Sequence, residues 1–406
     1  MNHRILHIGV GNFCRAHLAD YTQDAGGWSV TGVSLRSAGV RNGLRAQHYD
    51  YGLAIQGQGV KPITVFDEVL VAPEDPQAVL KQIASSDVHL ISITVTEKGY
   101  HLSADNRLDV SDPLIVSDLA GKTLRTVIGF LTYGLAARST PVTVLSCDNR
   151  VSNGDTLQAA VTAFAEAAGV PLDLSQITFP NSMVDRITPA TTQDLRALTG
   201  DAMAVPTEPF REWVIEDRFA APRPDWPDVQ FAPDVAPHET RKLRMLNAAH
   251  SMLAYAGTLA GHTYVHEAVG DPDLRENARA LMMEAAQTLT PDMQEIAPDY
   301  ADALIARFDN PHINHSLRQI AMDGTQKLPY RMLDSIRALK SMGQPAPVLS
   351  DGVRSWIRFC RHEVGAGRLL QDPMGDKVAH IIGAGAADDA LLALMGAQDL
   401  ATPILE

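Results

Sequence analysis

The stretch Arg4-Ile-Leu-His-Ile-Gly-Val-Gly-Asn-Phe-Cys-Arg-Ala-His17 decides the fold. Residues 4–8, Arg-Ile-Leu-His-Ile, read as a short buried strand. Gly9 and Gly11 follow, and Asn12 and Phe13 open a helix. The two glycines occupy the first two places of a dinucleotide fingerprint. There the turn is tight and the backbone approaches a pyrophosphate at a helix N-terminus. Cys14 stands where a third glycine is usual. A glycine turn between strand and helix also occurs as a turn alone. Its place at the first strand–helix junction leaves the nucleotide reading and the plain turn evenly matched.

Working outward, the next strand is expected over 28–35, "WSVTGVSL". A carboxylate at its end would hold a ribose diol. The residues there are Ser34, Leu35, Arg36 and Ser37, so Arg36 either meets a 2′-phosphate or lies in solvent. "DVHLISITVTEKGY", 87–100, is apolar on both faces, as a central parallel strand should be. The loop past its carboxyl end carries Thr96, Glu97 and Lys98, where ligands bind in open α/β sheets. "PVTVLSCDN", 141–149, repeats the pattern and ends on Asn149, which reads as a cleft donor or as part of an Asx turn. "EPFREWVIED", 208–217, alternates like a strand that extends this sheet, with Trp213 as core. In "ITFPNSMVDRITPA", 177–190, Asp185 and Arg186 taken alone read as an ion pair.

The proline-rich 223–239 is expected to join two domains. Helical periods follow, over 243–259, 273–288, 298–307, 332–341, 350–363 and 386–395. The expected fold is therefore α/β: a Rossmann-like domain with a mostly parallel sheet over 1–235, then a mostly α-helical domain over 236–406.

The stretch 239–255, "ETRKLRMLNAAHSMLAY", begins that helical part. From Leu243 it is apolar on most of its circumference and should be buried. Yet it carries Lys242, Asn247 and His250, which at about 100° per residue share an arc of roughly 140°. A lysine buried there should have a lowered pKa and serve as a base. The alternative is a lysine that snorkels to water beside two side chains that cap backbone.

Bulk properties set limits. The 406 residues suffice for two cores. A net charge of −14 argues against nucleic-acid or anionic-membrane partners. No apolar run reaches the ~20 residues that span a bilayer. The start "MNHRILHIGVGNF" is not expected to be a signal peptide. Three scattered cysteines, Cys14, Cys147 and Cys360, suit a reducing cytoplasm and argue against a structural zinc site.

Six strings in order resemble the long-chain polyol dehydrogenases, the family of mannitol 2-dehydrogenase and fructuronate (mannonate) reductase. They are "GVGNFCRAH", "VTEKGY", the string around Asp185, "EPFREWVIED", Lys-x4-Asn-x2-His at 242–250, and "RFDNPHINHSLRQIAMDGTQKLPYRMLDSIR" at 307–337. The resemblance covers Gly9 to about Arg337, in a chain shorter than expected for the family. It implies NAD, with NADP possible, bound by Gly9, Gly11, Asn12, Phe13, Arg36, Thr96, Glu97 and Lys98. It implies oxidation of a secondary alcohol on an open-chain sugar alcohol, D-mannitol to D-fructose, or on a sugar acid, D-mannonate to D-fructuronate. Lys242 would be the base, and Asn149 and Asn247 an oxyanion hole. His250, Asp185, Arg186 and His315 would orient the substrate, and Glu239 would relay the proton. Arg318 and Lys327 either reach the substrate or bound a helix.

No metal is expected in this scheme, and the assembly is expected to be a monomer or small homo-oligomer. A zinc alcohol dehydrogenase would need Cys/His clusters, which are absent. A short-chain dehydrogenase would need Tyr-x3-Lys, and none of the nine tyrosines has lysine four residues on. A non-catalytic nucleotide-binding sensor would keep the glycine turn without needing Lys242.

Overall fold

Six parallel strands form the centre of the first part of the chain. Numbering these alone, they are β1 His3–Ile8, β2 Trp28–Ser34, β3 Phe66–Val71, β4 Val88–Ile93, β5 Val142–Ser146 and β6 Ile177–Thr178. Their order is β3-β2-β1-β4-β5-β6 and every pairing is parallel. The order reverses between β1 and β4, which is the switch point of a doubly wound sheet. The computed structural model describes residues 3–121 and 123–405. By contact the chain divides into units Met1–Ala236 and Pro237–Glu406.

Both faces of the sheet are covered, which is why these strands read as apolar runs rather than alternating ones. Leu6 and Ile8 of β1 face a layer that includes Val79, Phe130 and Phe164, from helices Pro76–Ala84, Val127–Ala136 and Asn153–Ala168. Ile5 faces the other layer, with Leu18 and Tyr21 from Leu18–Ala25 and Leu44 from Gly39–Ala46. The fold is thus a Rossmann-like α/β sheet.

The strand within 208–217 is present as Glu212–Glu216, with Trp213 fully buried, but it does not extend the main sheet. It lies in a separate three-stranded sheet, antiparallel to Ser182–Asp185 and parallel to Val229–Ala232. The cause is local. β6 has only two residues, Pro180 follows, and Asn153 then captures the next strand. The Asn153 amide bonds the Ser182 carbonyl at 2.8 Å and the Asp148 carbonyl at 3.0 Å, and its oxygen accepts from the Ser182 N–H. Alternation shows that a segment is a strand, not which edge it joins.

The proline-rich stretch is likewise more than a connector. Trp226 is buried against Trp213, and residues 229–232 are a strand of that second sheet.

A buried carboxylate ties several of these pieces together. Asp20 receives Lys61 at 2.6 Å, Arg186 at 2.5 Å and Arg211 at 2.9 Å. Burial alone would raise its pKa, but Arg186 and Lys61 hold it below the usual range.

The second unit is helical. Helix Ala248–Leu259 lies at its core, with Leu253, Ala254 and Tyr255 fully buried among Pro272–Ala286 and Pro347–Gly365. One helix begins at Pro291 and runs to Phe308, seven residues earlier than its expected start at Pro298, which sits inside it. An interior proline reads as a helix start because it lacks a donor, yet the flanking turns carry it here. Among the described residues no helix is long and apolar enough to cross a membrane.

Candidate active site

In the first unit, candidate residues gather at the carboxyl ends of β1, β4 and β5. Gly9 has φ +103°, and a Cβ there would lie 2.0 Å from the Thr94 carbonyl oxygen. Only glycine fits, because the loop after β4 presses directly on the turn after β1. Gly11 differs: a Cβ there would meet only the Gly9 oxygen, at 3.9 Å. The chain itself does not demand glycine at 11, so the space beside it is open to a ligand. Below the turn, the buried His7 ring bonds Ser92 Oγ at 2.8 Å and the Gly9 carbonyl at 3.3 Å. A carbonyl only accepts, so Nε2 carries the proton and Nδ1 accepts from Ser92. Burial lowers the pKa of His7 to about 4, which keeps the ring neutral.

Asn12 and Phe13 sit at the same turn, with side chains engaged by the protein. The Asn12 amide bonds the Pro189 carbonyl and Thr191, and its oxygen accepts from Arg15 at 2.7 Å. Phe13 stacks on buried His17 at 4.9 Å. Cys14, in place of the third glycine, is a core residue. Arg36 is exposed past the end of β2 and pairs with none of the described residues.

Thr96, Glu97 and Lys98 are exposed on the loop after β4. Beneath them lies Asp148, which sequence reasoning passed over. It is 4% exposed, and its Oδ1 accepts from the Val95 N–H at 2.9 Å and the Thr96 N–H at 2.8 Å. Tyr100 donates to Oδ2 at 3.1 Å. Burial raises the Asp148 pKa to about 6 against those bonds. Asn149, the next residue, is exposed three positions past β5. The only trace of Asp148 in the sequence was the Asp-Asn pair, which reads equally as a turn.

Asp185 is buried at the end of strand Ser182–Asp185. Arg186 is engaged by the protein itself. Its guanidinium bonds the Ala16 carbonyl, Asp20 and, through two nitrogens, the Glu208 carbonyl. Its donors serve the scaffold rather than a substrate.

In the second unit the lysine-bearing stretch is helical but not regular. Helix Ala236–Arg241 passes into a π-helical turn, Lys242–Asn247, and then into Ala248–Leu259. The constant 100° step therefore fails between Lys242 and Asn247. A π turn closes over five residues instead of four and is frequent at functional sites. Lys242 and His250 are each 8% exposed, Glu239 is buried, and Asn247 is half-buried. A second π turn, Pro329–Leu333, packs against the first. From it, Arg331 donates to the Asn247 carbonyl at 3.2 Å and to Ser251 Oγ at 2.9 Å. Nothing in "KLPYR" signalled that contact.

His250 and His315 are brought together, with ring centroids 5.4 Å apart and Phe308 at 4.4 Å from His250. Burial, then His315, Arg307, Arg331 and Lys242, push the pKa of His250 well below its ordinary value. Burial and then Arg307 and Lys327 lower that of His315. The buried His250 Nε2 has no partner among the described residues. Arg318 pairs with buried Glu363 at 2.6 Å, and Lys327 donates to the Met322 carbonyl at 2.6 Å, so both help to shape the loop they bound. In that loop Gly324 is required, since a Cβ would lie 2.4 Å from Trp356. Among the described residues no group of three or more His, Cys, Asp or Glu is placed to hold a metal ion.

A glycine turn at the switch point of a parallel sheet, followed by a helical unit with a buried lysine, defines a dinucleotide-binding fold with a polar helical half. Comparison with known proteins places it more closely. The family model described as Mannitol dehydrogenase Rossmann domain matches residues 3–228, and Mannitol dehydrogenase C-terminal domain matches 234–400. Mannitol 2-dehydrogenase of Phaeosphaeria nodorum is 36% identical over 408 residues, covering 92% of this chain and 72% of that one. D-mannonate oxidoreductase of Escherichia coli is 38% identical over 425 residues, covering 97% and 87%. A solved structure of Pseudomonas fluorescens mannitol 2-dehydrogenase, a ternary complex with NAD and D-mannitol, superposes with a TM-score of 0.83. It is 32% identical and the match covers 100% of this chain and 90% of that one. The chain belongs to the mannitol dehydrogenase family of oxidoreductases.

Proposed function

We propose that this protein is an NAD(P)-dependent dehydrogenase that interconverts a secondary alcohol and a ketone on an open-chain sugar alcohol, D-mannitol to D-fructose. The observation that carries the reading is Lys242, buried on a π turn and followed by Asn247 and His250. Residues 1–235 would bind the dinucleotide and 236–406 would supply the base. The space beside Gly11 suits a pyrophosphate, because glycine is required there by no atom of the protein. Gly9, Gly11, the backbone at Asn12 and Phe13, and Thr96 to Lys98 would hold the nucleotide. Arg36, exposed after β2 and pairing with none of the described residues, would accept a 2′-phosphate, so NADP is the alternative to NAD. The nicotinamide, when bound, accepts the hydride.

The protein's own part is proton and charge management. Lys242 takes the hydroxyl proton, and in ketone reduction returns it. Asn149 and Asn247 donate to the oxygen as it gains charge. His250, kept neutral by burial, donates to or accepts from a neighbouring hydroxyl, with Asp185 and His315 orienting others. Glu239, buried one helical turn before Lys242, relays the proton onward.

A second reading is oxidation of D-mannonate. The likeness to D-mannonate oxidoreductase supports it, as do the cations Arg307 and Arg331 around the histidine pair, which suit a terminal carboxylate. Formation of NADH and NADPH with mannitol and with mannonate, and their oxidation with fructose and fructuronate, decides among these. Lys242→Ala should lower turnover by about 1000-fold or more with cofactor affinity retained. Turnover that survives the change removes the base assignment. Cofactor binding without turnover on any substrate would point instead to a nucleotide sensor.

A further inference from the structure

The loop after β4 is held in an unfavourable shape by one buried side chain. Thr96 has φ +67°, in the left-handed region that a β-branched residue rarely adopts. Such a conformation persists only where the surroundings over-determine it. Three bonds do so here, all to Asp148: the Val95 and Thr96 amides on Oδ1 and the Tyr100 hydroxyl on Oδ2. Tyr100 also bonds Ser146 Oγ at 2.6 Å, at the end of β5. The held segment is the one whose Thr94 carbonyl fills the space in front of Gly9. Asp148 therefore links the loop after β4, the glycine turn after β1, and Asn149 beside it in the chain.

We propose that Asp148 is a positioning residue for the nucleotide: it fixes the loop Thr94–Tyr100 so that Thr96–Lys98 and the glycine turn form the two walls of the switch-point crevice. It touches no reacting atom. It acts by accepting from two amides of the loop, which would otherwise relax into a common backbone shape. The inference rests on the reading of that crevice as a nucleotide site.

The two ideas separate by experiment. NADH and NADPH binding to the full chain are followed by fluorescence titration, without substrate. If the wild-type protein binds neither, the nucleotide reading itself is lost. If it binds, Asp148→Ala should raise Kd roughly 10- to 100-fold, since two amides lose their acceptor. Asp148→Asn keeps a carbonyl oxygen for both amides and an N–H toward Tyr100, and should restore affinity to within about threefold. A variant with Ala that binds as wild type, or an Asn variant as poor as Ala, overturns the positioning role. Should the Ala variant not fold, hydrogen exchange of the wild-type protein decides. Val95 and Thr96 amides protected before nucleotide is added is the expected result, and exchange at exposed-loop rates overturns the proposal.

Discussion

Two buried cation-rich clusters in this molecule differ in what they face. Around Asp20, the cations Arg186, Lys61 and Arg211 surround a carboxylate, and each charge is answered by its neighbour. Around His250 the centre is a neutral ring instead: burial, His315, Arg307, Arg331 and Lys242 all lower its pKa, and its Nε2 has no partner among the described residues. The first arrangement is complete within the fold and holds a helix, a hairpin and a strand end together. The second keeps its ring neutral, because burial and the nearby cations disfavour the protonated form. The contrast teaches where to look for chemistry. A polar group whose donors are all answered by the fold is scaffold, however suggestive its motif, and a buried ring nitrogen without a partner among the described residues marks a candidate site.

After the loss expected for Lys242→Ala, substitutions at the proposed oxyanion donors should give the next largest effect. Asn149→Ala and Asn247→Ala should each lower kcat by about 100- to 1000-fold with little change in cofactor affinity. Steady-state kinetics with NADH titration checks this. A loss confined to one asparagine would break the pairing of roles.

Arg186→Met comes next. Removing the partner of a buried carboxylate should lower stability by about 3 kcal/mol in denaturant melts, while substrate KM stays as it was. A raised KM at unchanged stability would return Arg186 to the site and undo the contrast above.

The smallest effect is in the pH dependence of stability. His7, His17, His250 and His315 all have lowered pKa values, through burial first. Their stabilisation is complete above the unfolded value of about 6.5 and is lost as pH falls toward their folded values. Asp148 runs the other way. Its folded pKa of about 6 lies above the model-peptide range, so its contribution is present in acid and is lost as pH rises through 6. Tyr100, Glu97, Arg150 and Cys147 are the titratable groups nearest to it, and Glu97 adds to the rise. Thermal melts should therefore fall between pH 7 and 4, and fall more steeply in Asp148→Asn, which is the more stable protein at pH 7. Parallel curves would show that Asp148 is not strained when ionised.

Much of the fold was legible because burial on both faces leaves a plain mark: apolar runs at β1, β4 and β5, each ending in a small or polar turn. The glycine turn was legible because Gly9 has no substitute there. Other features left no such mark. Which sheet residues 212–216 join depends on Asn153 and Pro180, distant in sequence. The π turns were hidden because a hydrophobic pattern assumes one angular step, and "KLRMLN" satisfies that step as well as any. Asp148 and Arg331 act on backbone atoms, which no side-chain pattern reports.

The first π turn has a consequence for how this chain can vary. It is a helix carrying one residue more than its regular form needs. Deleting a single residue between 243 and 246 would let the segment revert to ordinary winding, with Leu253 and Tyr255 still seated in the hydrophobic interior. The amine at 242 would then swing by about 100° about the axis relative to His250. Folding and the placement of the proposed base thus part company at one inserted position.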